Sequence, residues 1–334
     1  MGWFAAHHLR EKAKAGKVTD GWLGDTEMQL RRAITFFGSE RDLASITPKD
    51  CAAWASALAK IKNGRGGKLG GGTIRHHLNT LSNLYRRAVS EGYATANPVG
   101  GMMEKPTANR EEARWLEVHD AALFLESARL YSPNLVQRAF LHPYPLVATF
   151  LLTRGRLQEV LGLDVEDISF DRGTVTFRPN AHRRLKTLTS HRSVPMWPQL
   201  REALQEYVFG EGRVSGLLFP SPTATGMLKD LRKMLNAIGE RASFVEGEIT
   251  SKMFRHTYCA ARLQTLDRGA PVSPWTVAKE MGHGGRSLTD RVYGHLGDVR
   301  HRSDVVEYRV EQHRKALAER LETLKAGNRL SPLA

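Results

Sequence analysis

Cysteine is almost absent: the 334 residues contain two, Cys51 and Cys259. Neither their number nor their spacing supports a disulfide framework or a cysteine-based zinc site. Each lies in a stretch that reads as helix, so reduced thiols in a cytoplasmic setting are expected. No apolar run approaches the roughly 18 residues of a membrane-spanning helix, and Met1 to Arg10 lacks an apolar core followed by a cleavage site. Secretion and membrane partners are therefore not expected. Acidic residues are also scarce, with 35 Asp and Glu against 49 Lys and Arg.

That imbalance gives a formal charge of +14 and an isoelectric point of about 10.0. Such a field attracts polyanions, because lysines and arginines that meet phosphates release condensed counterions. Nucleic acid is the leading partner class; a basic surface kept for solubility, or attraction to an acidic membrane, is the alternative that charge alone leaves open. The 41% hydrophobic and 25% charged fractions are those of a folded chain with a packed core. The length exceeds what one core usually organises, so two domains are expected.

The first hundred residues read as helices with clear punctuation. An apolar period runs from Asp25 to Phe37 and stops at Gly38. In Ile46-Thr47-Pro48-Lys49-Asp50 the threonine can accept from a free first-turn amide, Pro48 fits where no amide proton is needed, and Asp50 complements the positive helix end. A glycine-rich connector, Gly64 to Gly72, precedes Thr73, a candidate cap for a helix with Ile74, Leu78, Leu81, Leu84 and Ala88 on one face. The connector is no phosphate-cradling loop, since Gly67-Lys68 is followed by Leu69 where Ser or Thr is needed. Arg75, His76, Arg86 and Arg87 lie off that apolar face and are candidates for contact with a phosphate backbone, against the alternative of a solvated basic face. After Asn97-Pro98 the segment to Glu112 mixes glycine, proline and charge without a period, as linkers do, and places a domain boundary near Lys105.

The second part opens with helical patterns through Leu163. Ile168, Phe170, Val175 and Phe177 then alternate around Asp171-Arg172-Gly173, which predicts a hairpin, and Arg192 to Met196 can add a third strand. Helical signals return from Gln199. From Ser303 to Ala326 one stripe holds Val306, Val310, His313, Leu317, Leu321 and Leu324, to be covered by its own domain or by a neighbouring subunit.

Several segments of this second part carry side chains suited to a phosphate. They are Thr153-Arg154-Gly155-Arg156-Leu157-Gln158-Glu159-Val160-Leu161-Gly162-Leu163; Lys186-Thr187 ahead of Ser193-Val194-Pro195-Met196; Lys252-Met253-Phe254-Arg255-His256-Thr257; Met281-Gly282-His283; and Arg291-Val292-Tyr293-Gly294-His295-Leu296. In this order they resemble the signatures of the tyrosine recombinases, the phage integrase or lambda-integrase-like family. The N-terminal half, with Phe36-Phe37-Gly38, Ile46-Thr47, Thr73-Ile74 and Gly92-Tyr93 before Asn97-Pro98, is similar to the family's core-binding domain. Three departures stand out: Arg154 where glycine is usual, Lys252 where the second signature has histidine, and one extra residue between His283 and Tyr293.

The resemblance implies a mainly α fold with a small β-sheet. Residues 1–104 would form a helical core-type DNA-binding domain, and 105–334 an α+β catalytic domain with a C-terminal tail helix. No arm-binding domain is expected, Met1 to Asp20 being too short. It implies catalytic roles for Arg156, Lys186, Lys252, Arg255, His283 and Tyr293, with Glu159 orienting Arg156 and His256 as a structural histidine. Arg183 and Arg184, beside Lys186, are added to the candidate DNA contacts. Tyr293 would attack a phosphodiester to leave a 3′-phosphotyrosine and a 5′-hydroxyl, without metal, ATP or other cofactor. The implied partners are double-stranded attachment sites held by a homotetramer at synapsis, with room for accessory DNA-bending proteins. Two other readings compete: a type IB topoisomerase, which uses a similar residue set, and a DNA-binding factor with a decayed site, of which Lys252 would be the first sign.

Overall fold

The computed structural model describes residues 1–64, 66–107, 113–131, 142–183, 190–221, 226–282 and 303–329. The chain divides into two compact units, Met1–Glu111 and Glu112–Ala334; sequence composition points to residue 105, a little upstream. Among the described residues no helix is long and apolar enough to cross a membrane.

The first unit holds α1 (Gly2–Lys14), α2 (Asp20–Phe37), α3 (Pro48–Leu58) and α4 (Gly71–Ser90). No apolar period in the sequence announces α1. Its short apolar content, with Phe4, Ala5 and His8 buried, suffices because α2 and α4 lie against it. Helix α2 starts before its apolar period does, because Thr19 caps it by accepting from the Trp22 amide at 3.2 Å. Helix α3 begins as predicted: the Thr47 hydroxyl accepts from the Asp50 amide at 3.2 Å and the Asp50 carboxylate accepts from the Thr47 amide at 2.9 Å. Thr73 is not the cap of α4, which starts at Gly71 behind Gly70; its carbonyl instead accepts from His77 Nδ1 at 2.9 Å. The predicted stripe of α4 is wholly buried, packed with Leu30, Trp54 and Leu58. Tyr85 joins it and donates its hydroxyl to the Leu43 carbonyl at 3.0 Å.

In the second unit α5 (Val118–Leu130) leads to α6 (Pro143–Thr153), apolar on every side and buried along its length. Short α7 (Leu157–Leu161) follows. Strands β1 (Ile168–Ser169), β2 (Thr174–Phe177) and β3 (Arg192–Pro195) then form an antiparallel sheet in sequence order. The hairpin closes through Gly173, whose φ of 62° suits a residue without Cβ, and Val175 and Phe177 point into the core. Helices α8 (Pro198–Gly210), α9 (Arg232–Arg241), α10 (Ser251–Leu263) and α11 (Pro274–Glu280) complete the frame, with a two-stranded ribbon of β4 (Leu266–Asp267) and β5 (Ala270–Pro271) between α10 and α11. Helices α5, α8 and α10 pack around α6.

The tail departs from one continuous helix. Residues 303–309 are irregular, a single 3-10 turn spans Val310–His313, and α12 (Ala318–Arg329) follows. The irregular part is bound where its backbone needs partners: Gln199 donates to the Tyr308 carbonyl at 3.0 Å and accepts from the Tyr308 amide at 2.8 Å. Leu317, Leu321 and Leu324 are buried against Leu123 and Ala242. Arg320 pairs with Asp120 at 2.6 Å and donates to the Ala242 carbonyl at 3.1 Å. Val306, Leu317, Leu321 and Leu324 of the stripe are thus covered by their own unit, with Val310 and His313 half-buried.

Because Leu317 is buried in that contact, Leu317→Ala should lower unfolding free energy by about 2–5 kcal/mol. A urea midpoint equal to that of the wild type would show that the tail does not contribute to the fold of the unit.

Candidate active site

The site is built at the end of α6. The Thr153 hydroxyl closes its last turn, donating to the Thr149 carbonyl at 2.5 Å and accepting from the Gly155 amide at 3.3 Å, and the chain leaves the helix through Arg154 in the left-handed region, φ 51° and ψ 26°. Gly155 follows because nothing larger fits: a Cβ there would collide with Val160 and Phe177. Arg156 is then extended and starts α7. Its amide donates to Glu159 Oε2 at 2.9 Å, and its Nη1 donates to Glu159 Oε1 at 2.6 Å and to the Ser190 hydroxyl at 3.3 Å. A carboxylate three residues into a helix satisfies the start of that helix, and here it also fixes the arginine at the start.

Glu159 is only 5% exposed. Its Oε2 also accepts from Arg192 Nη2 at 2.8 Å. Burial alone would raise its carboxyl, but the bonds and charge of Arg192, with those of Arg156, hold it down at about 2. Arg192 opens β3 facing inward, its guanidinium 4.4 Å from the centre of the Phe177 ring and its Nη1 donating to the Ser190 carbonyl at 2.8 Å. Arg192 is absent from the site predicted by sequence. The signal was its place in a strand whose alternation turns Arg192 and Val194 to the core, a position a lone arginine occupies only when it is paired.

The second arginine arrives from α10, which begins at Thr250, whose hydroxyl accepts from the Met253 amide at 3.3 Å. Arg255 Nη1 donates to the Arg154 carbonyl at 3.1 Å and Nη2 to the Met281 carbonyl at 2.7 Å. These are the closing carbonyls of α6 and α11, negative helix ends that suit a cation. Helix α11 is itself anchored to α10, because Glu280 accepts from the Tyr258 hydroxyl at 3.1 Å and pairs with Arg262 at 2.9 Å. Arg156 and Arg255, read from motifs far apart in sequence, therefore converge on one turn. Lys252 is exposed on α10, one turn before His256. Burial, with Lys252 and Arg255 nearby, pushes His256 down to about 4, so it is neutral at pH 7.

Lys186, Arg184, His283 and Tyr293 lie outside the described residues. Arg183 is a correction. It is 5% exposed, not a DNA contact: Nη2 pairs with Asp167 at 2.9 Å, Nε donates to the Arg178 carbonyl at 2.9 Å, and Nη1 donates to the carbonyls of Glu159 and Gly162. Three backbone carbonyls and the Asp167 carboxylate thus hold the guanidinium and close the α7 turn. In the first unit Arg75, His76 and Arg86 are exposed on α4, whereas Arg87 pairs with Glu91 at 3.0 Å and Glu11 at 4.0 Å. Among the described residues no group of three or more His, Cys, Asp and Glu is placed to hold a metal ion.

The model of the phage integrase family matches residues 116–300. Among solved structures, the chain is similar to the integrase of the Tn1549 transposon in complex with a circular intermediate DNA, at 18% identity and a TM-score of 0.66, covering 96% of this chain and 98% of that one. It is similar to a lambda integrase dimer bound to a COC′ core site, at 16% identity and a TM-score of 0.62, covering 89% and 96%. XerH recombinase bound to its difH substrate in a pre-cleavage complex matches at 18% identity and a TM-score of 0.59, covering 83% and 77%. A search of the curated proteins finds no match to this sequence.

Glu159 makes the unit acid-sensitive in a defined window. A carboxyl whose pKa is 4.5 unfolded and about 2 folded stabilises fully above pH 4.5, and that contribution is lost as pH falls toward 2. It amounts to on the order of 3 kcal/mol. Glu159→Gln, which leaves Arg192 buried without its charge partner, should lower stability at neutral pH by about 3–5 kcal/mol. It should also flatten the acid limb of a urea-midpoint series; a variant with the wild-type limb would mean that another group sets it.

Proposed function

The chain belongs to the phage integrase family, the tyrosine recombinases, which cut and rejoin DNA through a 3′-phosphotyrosine, and from that premise we propose what its own residues do. Tyr293 attacks the scissile phosphate, its phenolic proton passing to solvent, the bond to the 5′ oxygen breaks, and Lys186 supplies the proton that leaves with that oxygen. The phosphodiester energy stays in the tyrosyl ester, so ATP has no part in ligation, which is the same reaction reversed.

The transition state places additional negative charge on the nonbridging oxygens, and preorganised cations are the means of holding it. Arg156 and Arg255 take that part: each is a planar fork of donors that stays charged at working pH. His283 donates a further hydrogen bond. Lys252, in the place of the family's histidine, donates another as an ammonium. Glu159 orients Arg156. The observation that carries this reading is the convergence of Arg156 and Arg255 on the turn after α6, with Arg255 held by the carbonyl two residues before Arg156.

The proposed partner is double-stranded DNA at attachment sites, to which the charge of +14 is suited. The named relatives are themselves DNA complexes. Exchange between two duplexes needs four cuts, which gives a homotetramer at synapsis, assisted by accessory DNA-bending proteins. Strand exchange between defined sites, rather than relaxation of supercoils without sequence preference, separates this reading from a topoisomerase.

Wild-type protein on attachment-site duplex nicked near the cut should form a denaturant-resistant adduct, and Tyr293→Phe should form none. Arg156→Ala and Arg255→Ala should slow the adduct by on the order of 100-fold or more while still shifting the DNA in a gel. Tight binding without an adduct from wild-type protein would overturn the reading in favour of a decayed site.

A further inference from the structure

Arg154 breaks two rules at once. It is a non-glycine residue with φ 51° at the position where the family signature has glycine, and such backbone strain collects at functional sites. Its side chain is 0% exposed, one of the largest fully buried among the described residues, and among them Nε, Nη1 and Nη2 have no hydrogen-bond partner. Buried polar groups are almost always paired, and a buried cation without a partner is costlier still. Glycine would relieve both the strain and the charge.

The surroundings do not neutralise it. Arg192 and Arg255 oppose its charge; Glu159 and the hydroxyl of Tyr258 favour it. Glu159 is already shared by Arg156 and Arg192, and the Tyr258 hydroxyl donates to Glu280. Burial therefore pushes the Arg154 guanidinium well below its usual range, and the two arginines push it further. The buried charge belongs to the turn on which Arg156 and Arg255 converge. Its own backbone carbonyl holds Arg255.

We infer that Arg154 is a positioning residue of the cleavage site: a buried, unpaired cation whose charge is offset only when the scissile phosphate binds over Arg156 and Arg255. This rests on the function proposed above. In low-dielectric surroundings a fixed charge acts over several ångströms without touching its ligand, and it needs no reorganisation when the extra charge of the transition state develops. The side chain contributes potential, and the backbone contributes the hold on Arg255.

The test replaces the charge while keeping volume and backbone. R154M should melt at or above the wild-type temperature, since it removes an unpaired buried cation, yet form the covalent adduct on nicked attachment-site DNA about 10-fold or more slowly. R154K should recover most of the rate. A purely structural arginine predicts the opposite pairing, a lower melting temperature in R154M and no rescue by lysine, and that result would overturn the inference, as would a wild-type rate in R154M. Should the methionine variant fail to fold, R154G, which relaxes the left-handed backbone, is read by the same criteria. Loss of the adduct in the wild-type protein itself would remove the cleavage reading and this role together; an adduct formed equally well by wild type and R154M removes this role alone.

Discussion

Everything at the site depends on one buried carboxylate. Glu159 accepts from the amide that starts α7, from the guanidinium of Arg156 and from that of Arg192 on β3. It ties the turn after α6 to the sheet, and it is the anion nearest to a group of cations that would otherwise repel one another. Without it, Arg156 would have neither a fixed orientation nor a neighbour to hold its charge. With it, the arginine is fixed before any substrate arrives, which is where preorganised charge differs from charge recruited during a reaction.

The rest of the frame can be understood as support for that turn. Helix α6 is apolar on every face, so it can be surrounded by α5, α8 and α10 and held rigidly by packing. Its end is therefore a fixed point. Arg255 spans the closing carbonyls of α6 and α11, and the Tyr258, Arg262 and Glu280 set holds α11 against α10, so the chain enters the segment containing His283 from a defined place. Arg183 does the same service below, closing α7 with donors that might have been counted as DNA contacts. Basic residues here divide by burial: Arg183, its guanidinium held by carbonyls and Asp167, is inside, whereas Arg156 and Arg255 are partly exposed and can meet a polyanion.

This division explains what was legible in the sequence. Caps and stripes were: Thr47, Pro48 and Asp50 announce α3, and the apolar period of α4 gives its buried face residue by residue, because both signals are local. The hairpin about Gly173 was legible for the same reason. The convergence of Arg156 and Arg255 was legible only through motif resemblance, since nothing local relates residues so far apart. The inward turn of Arg183, the pairing of Arg192 with Glu159 and the cover over Leu317 and Leu321 depend on what lies opposite in space, which composition and period do not encode. Helix α1 was missed because a helix that buries so few large side chains shows little period; its order comes from the helices it meets.

Two of the three departures from the family pattern change charge. Lys252 replaces a titratable imidazole by an ammonium at an exposed position, which adds a cation where solvent can moderate it. Arg154 replaces glycine by a cation where no solvent reaches, and there its field is moderated only by other charges. Both substitutions move the site the same way, toward greater positive potential. Four arginines and one glutamate make up the described core of the site, so it is unbalanced as it stands. A phosphodiester that enters such a site relieves repulsion already present in the folded chain, and the relief grows as charge gathers on the nonbridging oxygens. Stability forgone in the free protein becomes, on this argument, selective stabilisation of the transition state.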